Sequence, residues 1–306
     1  MSKSICVTAV QLPAEPAGKS VAQKVRNNLH AIEEALDEAG RRQSDLVLFG
    51  EYANLWHHST SAKRRDYVPE DRTGPALTLA TDAARRFRMN VALPVFGTVG
   101  GALSSNVVLI DRTGSVSGVY QKTHLIIQEQ RLGMKRGNNL PVFVLDCAKV
   151  GIMTCMDIEY PEVAQTLMLK GAGLLLFPHV QAGWGEVDWE IRYRARAIDT
   201  GLPLVSSCYG YPPGTWKPGK MIGRSGIVGR DGTILGDMGR EIGCLTMDIL
   251  LDRHRITHFF FEKSYPRTPA VIASRRPDLY TVLTSQKEKR RAQEALGVRD
   301  IVKGGR

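Results

Sequence analysis

The sequence predicts a single α/β domain. Strand patterns and helix patterns alternate from residue 4 to about residue 250, the order that gives sheets covered by helices. No repeat or low-complexity segment divides the chain, and 306 residues at 43% hydrophobic content can bury one large core. In order, the elements are a strand over 4–11, a helix over 19–39, a strand over 45–49, a helix over 74–88 and a strand over 90–97. A hairpin follows over 105–121, then strands over 142–145 and 150–154, a helix over 161–170, and a strand over 173–177. The series ends with a helix over 188–199, a strand over 203–208, a hairpin over 225–236 and a strand over 242–248. Pro-Pro-Gly-Thr-Trp-Lys-Pro-Gly (212–219) reads as a turn-rich loop within the domain.

Three segments carry chemistry. In Val-Gly-Ile-Met-Thr-Cys-Met-Asp-Ile-Glu-Tyr-Pro-Glu (150–162), a β-branched apolar run ends at Cys155, and Pro161 with Glu162 opens a helical pattern. A cysteine at such a turn points outward, where approaching helix N–H groups favour the thiolate; a buried structural cysteine is the alternative. In Asp-Leu-Val-Leu-Phe-Gly-Glu-Tyr-Ala-Asn (45–54), four apolar residues read as a buried strand that Gly50 ends just before Glu51. Tyr52 and Trp56 flank this carboxylate, and apolar surroundings of that kind raise its pKa and suit it to take a proton from a thiol; a solvated loop glutamate is the alternative. In Ser-Val-Ser-Gly-Val-Tyr-Gln-Lys-Thr-His-Leu (115–125), loose alternation after the turn signal Asp-Arg-Thr-Gly (111–114) suggests a hairpin with Lys122 at its far end. A solvated lysine is the alternative there.

Taken together, a Glu after a strand, a Lys in Tyr-x-Lys-Thr-His-Leu and a Cys in Cys-x-Asp-x-x-x-Pro-Glu resemble, in that order, the nitrilase-like carbon–nitrogen hydrolase superfamily. The resemblance extends through Lys-Gly-Ala-Gly-Leu-Leu-Leu-Phe-Pro (170–178), Arg-Ala-Arg-Ala-Ile-Asp-Thr-Gly-Leu-Pro-Leu-Val (194–205), Gly223 and Ser225 with the segment 229–235, and Arg-Arg-Pro-Asp-Leu-Tyr (275–280). It covers residues 4 to 283, which would form the hydrolase domain (1–283), followed by a basic tail (284–306). It implies an αββα four-layer sandwich, no cofactor, no metal, and catalysis by Glu51, Lys122 and Cys155. A second glutamate, Glu129, would pair with Lys122 and help position substrate, with Gln130 as the neighbouring candidate.

The chemistry implied is acyl transfer to water. Glu51 takes the proton of Cys155, whose sulfur attacks the carbonyl carbon, while Lys122 and the backbone N–H of Met156 hold the oxyanion. Ammonia leaves a thioester that Glu51-activated water hydrolyses. Departures from the family pattern narrow the substrate. Many members have Pro where this chain has Gly50, and true nitrilases follow the cysteine with Trp-Glu where this chain has Met156-Asp157. Arginines frequent after the Asp in amino-acid carbamoylases are replaced by Ile158 and Glu159. An amide or carbamoyl substrate is therefore expected before a nitrile. Tyr52, Trp56, Met156, His179, Trp184 and Trp189 are the candidate pocket residues, though each tryptophan could equally serve in the core.

Other chemistries find no support. No Gly-x-Ser-x-Gly, Walker loop, dinucleotide fingerprint or Cys-x-x-Cys pair is present. His57-His58 reads as a loop near the site mouth rather than a metal site, and papain-type chemistry would need His124 or His179 beside the cysteine. The net charge of +10 and pI near 9.5 raise nucleic-acid binding, but the basic residues are scattered. The one cluster, Lys287-Glu288-Lys289-Arg290-Arg291, has no aromatic platform and reads as a solvated helix face. Five cysteines without framework spacing, no N-terminal signal pattern and no apolar run near the roughly 20 residues that span a bilayer lead to the expectation of a cytoplasmic protein outside the membrane. Three aromatics in His-Phe-Phe-Phe-Glu (258–262) lead to the expectation of a homodimer or larger assembly, packing on the chain itself being the alternative; residues 286–306 lack apolar density and are expected to be mobile or partner-dependent. An acyltransferase on the same thioester and a non-catalytic scaffold are the competing functions.

Overall fold

The computed structural model describes residues 4–54, 74–181, 185–251, 272–287, 289 and 291. His57, His58 and the aromatics of 258–262 lie outside the described residues, as do the pocket candidates Trp56 and Trp184.

Two sheets stack face to face, each with a helix pair on its outer face. The first sheet holds β1 (Ser4–Pro13), β2 (Leu46–Leu48), β3 (Asn90–Val99), β4 (Ala102–Ile110) and β5 (Val116–Gln121) in that spatial order. β1 is parallel to β2 and β2 to β3, and the β3–β4 and β4–β5 pairs are antiparallel hairpins. The second sheet holds β6 (Val142–Val144), β7 (Lys149–Ile152), β8 (Leu174–Pro178), β9 (Leu204–Ser207), β11 (Gly226–Val228) and β12 (Ile234–Asp237), with β7, β8 and β9 parallel. Two further strands return to the first sheet: β10 (Tyr209–Gly210) runs beside the end of β1, and β13 (Gly243–Leu250) lies antiparallel to β1.

The layering follows from strand periodicity, because successive side chains point to opposite faces. On β2, Leu46 and Leu48 enter the core between the sheets, whereas Val47 and Phe49 enter the core under α1 (Val21–Arg41) and α2 (Pro75–Phe87). On β8, Leu174 and Leu176 face the inter-sheet core, whereas Leu175 and Phe177 face α4 (Pro161–Leu169) and α5 (Glu186–Thr200). These two central strands are apolar on both faces because each sheet is covered on both there, as expected for buried parallel strands. Three cores thus separate four layers, and the αββα sandwich expected from the resemblance is the fold of this chain.

Boundaries shift by one or two residues where capping decides them. α1 starts at Val21 because Ser20 is its N-cap: the Gln23 backbone N–H donates to Ser20 Oγ (3.2 Å), and Gln23 Oε1 accepts from the Ser20 backbone N–H (3.2 Å). Two short elements escape the sequence reading, β10 and α3 (Ile127–Arg131), because two to five residues are too few to show a period. Among the described residues, no helix is long and apolar enough to cross a membrane.

Candidate active site

The ends of strands from both sheets meet in one cluster. Glu51 lies three residues beyond β2 and is fully buried. Gly50 makes room for it: a Cβ there would sit 2.9 Å from the Tyr209 ring and 3.1 Å from the Cys208 carbonyl. Tyr209 Oη in turn donates to the Glu51 backbone carbonyl (2.7 Å). Tyr209 thus leaves no room for a side chain, proline included, at position 50.

Lys122 follows β5 directly and is 1% exposed. Its Nζ donates to Glu51 Oε1 and to Glu129 Oε1, 2.8 Å each. Burial alone would lower this amine's pKa, but Glu51, the neighbouring Cys155 and Tyr52, and Glu129 outweigh it and hold the ammonium well above its ordinary range. Three donors belong to an ammonium, so two go to the carboxylates and one is left for another acceptor.

Glu129 sits in α3, where it is buried and has both oxygens engaged. Oε1 accepts from Lys122 Nζ and from Tyr52 Oη in a short bond, and Oε2 accepts from the Ile126 backbone N–H (2.9 Å). Gln130, the neighbouring candidate, turns away and donates to the Leu125 carbonyl (2.9 Å). Tyr52 itself is buried, edge-on to Phe96 at 5.8 Å, so the structure makes it a strut for Glu129 rather than a pocket wall.

Cys155 comes from the second sheet, three residues beyond β7, at the start of a 3-10 turn (Cys155–Glu159). Its φ of 47° lies in the left-handed region, which costs a non-glycine residue about 1–2 kcal/mol. The cysteine is only partly covered by the described chain. Here the structure overturns the expectation of a favoured thiolate. α4 begins only at Pro161, so the backbone N–H groups nearest the sulfur are those of the short 3-10 turn and not of a full α-helix. Burial first, then the charges of Glu51 and Glu129, push the thiol well above its ordinary pKa; Lys122 and the Val180 backbone N–H oppose them. Burial also raises Glu51 against the pull of Lys122. Glu51 Oε2 accepts no full hydrogen bond from the described residues, and the Cys155 thiol approaches this carboxylate as a weak donor. The resting arrangement is a neutral thiol beside a basic carboxylate, which supports proton transfer concerted with attack.

His179 and Trp189 are the other displaced candidates. His179 is fully buried, stacked on Phe177 (4.6 Å) and tilted against Trp189 (5.5 Å). Burial drives its pKa down to about 3, so the ring is neutral near pH 7. Nδ1 accepts from the Gln181 backbone N–H (3.3 Å), and Nε2 has no hydrogen-bond partner among the described residues. Both rings are buried in an aromatic stack with Phe177 and Tyr193 instead of lining a pocket. His124 Nδ1 lies 2.8 Å from Asp157 Oδ1, which commits that ring to Asp157. Met156 is partly exposed beside Cys155. Asp157, in the sequence only a motif position, is fully buried and bridges the lysine and cysteine segments. Its signal was the coincidence of Cys-x-Asp with Tyr-x-Lys-Thr-His.

The family model described as Carbon-nitrogen hydrolase matches residues 6–258. This chain belongs to the carbon–nitrogen hydrolase family. A probable nitrilase of Schizosaccharomyces pombe is 26% identical over 279 residues, covering 86% of this chain and 92% of that protein. The chloroplastic omega-amidase of Arabidopsis thaliana is 23% identical, covering 92% and 79%. Among solved structures, a variant of the amidase from Nesterenkonia sp. AN1, with the acetamide moiety of fluoroacetamide covalently added at its active-site cysteine, superposes with a TM-score of 0.73 at 22% identity. It covers 90% of this chain and 95% of that one. This carbon–nitrogen hydrolase therefore shares the fold of an amidase in the same four-layer arrangement.

Proposed function

We propose that this hydrolase cleaves the C–N bond of an amide or N-carbamoyl substrate through a thioester on Cys155, releasing ammonia. One observation carries the reading: Lys122 Nζ stands between Glu51 and Glu129 at 2.8 Å each, with Cys155 presented to the same carboxylate from the other sheet. Glu51 Oε2 accepts the thiol proton as the sulfur–carbon bond forms and the carbonyl electron pair moves onto oxygen. The third Lys122 donor and the Met156 backbone N–H hold that oxyanion, each worth roughly 3 kcal/mol. As the oxyanion collapses, Glu51 returns the proton to the departing nitrogen. Water then enters, loses a proton to Glu51 and attacks the thioester; the sulfur leaves and recovers its proton from Glu51.

Glu129 holds Lys122 in place rather than taking part in proton transfer, since both its oxygens are already bonded. The pairing of Met156 with Asp157 after the cysteine favours amides over nitriles, and relatives named as amidases, including the plant omega-amidase, point the same way. The test is ammonia release from a panel of amides, N-carbamoyl amines and nitriles by the wild type, Cys155→Ala and Glu51→Gln. We expect release from an amide or carbamoyl compound by the wild type, and loss of at least about a thousandfold in both variants. Equal release by Cys155→Ala, or release from nitriles alone, would overturn the proposal.

A further inference from the structure

One buried carboxylate collects hydrogen bonds from both halves of the site without reaching the reacting atoms. Asp157 Oδ2 accepts from the Thr154 backbone N–H (2.8 Å), just ahead of Cys155, and from Tyr120 Oη (2.5 Å), two residues before Lys122. Asp157 Oδ1 accepts from Thr123 Oγ1 (2.9 Å), the His124 backbone N–H (3.0 Å) and His124 Nδ1 (2.8 Å), all on the segment just after Lys122. The lysine segment thus grips this carboxylate on either side of Lys122, and the carboxylate belongs to the cysteine turn. Glu51 also meets both segments, but at the reacting groups themselves, Lys122 Nζ and the Cys155 thiol.

We propose that Asp157 is the positioning residue that sets the register between the nucleophile and its cation. It holds the left-handed Cys155 turn against the first sheet, so that Cys155 and Lys122 meet the same Glu51 carboxylate. The arrangement resists relaxation from both directions. Thr154 and Asp157 fasten the start of the 3-10 turn to the lysine segment, while Arg196 Nη2 donates to the Ile158 carbonyl (2.8 Å) and fastens its far side to α5. The Asp157 contact crosses between the sheets, whereas the Arg196 contact stays within the layer that carries Cys155. Loss of the charge on Asp157 would release the turn toward an ordinary backbone conformation and move the sulfur away from Glu51 and Lys122. A misplacement of about 1 Å costs on the order of a hundredfold in rate. The role assigned to Asp157 rests on the thioester reading for its catalytic consequence, not for its geometry.

The experiment is the pH profile of Cys155 alkylation by iodoacetamide, followed at the Cys155 peptide by mass spectrometry, in the wild type, Asp157→Asn and Tyr120→Phe. Ammonia release from the amide that the wild type turns over fastest is measured alongside. We expect Asp157→Asn to shift the apparent thiol pKa toward the ordinary value of about 8.5, as the sulfur leaves the carboxylates, and to lower kcat about a hundredfold with KM nearly unchanged. Tyr120→Phe, which removes one of the five bonds, moves both readouts in the same direction by less. A folded Asp157→Asn whose alkylation profile superimposes on the wild type would overturn the assignment, whatever its melting temperature. Should Asp157→Asn not fold, Tyr120→Phe and Thr123→Val decide, and wild-type profiles in both would overturn it. Alkylation needs no turnover, so a shifted profile in a protein that releases no ammonia would sink the hydrolase reading and leave the positioning role standing.

Discussion

The two sheets contribute to one site in opposite ways. The first supplies Glu51, Lys122 and Glu129, charged groups held by side-chain bonds: Lys122 to both carboxylates and Tyr52, itself at a left-handed φ of 61°, to Glu129. The second supplies a single neutral nucleophile, Cys155, on left-handed backbone at the end of a parallel strand. The charged half is expensive to bury and is stabilised by mutual pairing. The nucleophile half costs little in desolvation, and left-handed backbone occurs in both halves, at Tyr52 and at Cys155. Proteins can thus meet the cost of a buried site in two currencies, and this one uses both.

The largest expected effect breaks the charged half. Lys122→Met leaves two buried carboxylates unpaired and facing each other, and removing one partner of a buried pair costs about 3–5 kcal/mol. Urea unfolding of the variant should show a loss of that size together with complete loss of turnover. Retention of wild-type stability would mean that the carboxylates are not desolvated as described.

Acid sensitivity probes the aromatic packing around His179. His179 has a folded pKa depressed from 6.5 to about 3, so the unfolded chain takes up its proton first as pH falls. Stability contributed by the neutral ring is fully present above about pH 6.5 and is lost progressively below it, toward pH 3. Between pH 6.5 and pH 5 this loss is about 1.6 kcal/mol. His179→Gln should flatten the stability–pH curve by that amount over this interval; an unchanged slope would show that the ring is solvated.

A smaller effect sharpens the picture of Glu129. Tyr52→Phe removes one donor from a buried carboxylate and should cost about 1–1.5 kcal/mol of stability, with a drop in kcat and KM little affected. An unaltered kcat would show that Glu129 holds Lys122 without help from the tyrosine. The smallest effect has the opposite sign. Cys155→Gly removes the Cβ that disfavours a φ of 47°, and should raise stability by up to about 1 kcal/mol while abolishing turnover. A loss of stability instead would mean that the turn is not strained at this position.

Much of this molecule is readable along the chain. The apolar runs at 45–49 and 173–177 are strands because both of their faces are covered, and a run apolar on every residue says so directly. Glu51, Lys122 and Cys155 stand out in the sequence because each follows a strand pattern and terminates it, and because their order and surrounding motifs resemble one family. Glu129 was legible only through that resemblance, since α3 is too short to announce itself. The roles of Tyr52, His179 and Asp157 were not legible. Tyr52 and His179 read as pocket walls from their nearness in sequence to the site, yet one ring braces Glu129 and the other is sealed among Phe177 and Trp189.

The division has a physical cause. Periodicity, capping and turn chemistry act between residues a few positions apart, so the chain alone determines where its strands and helices form and which positions end them. Glu51 and Lys122 are 71 residues apart, and Tyr52 and Glu129 are 77 apart. Their meeting depends on how strands order within the first sheet, and the approach of Cys155 depends on how the second sheet stacks on it. Desolvation arises only when that stacking excludes water. That is why the raised thiol, the retained ammonium and the neutral His179 belong to the tertiary structure and to no segment of the sequence.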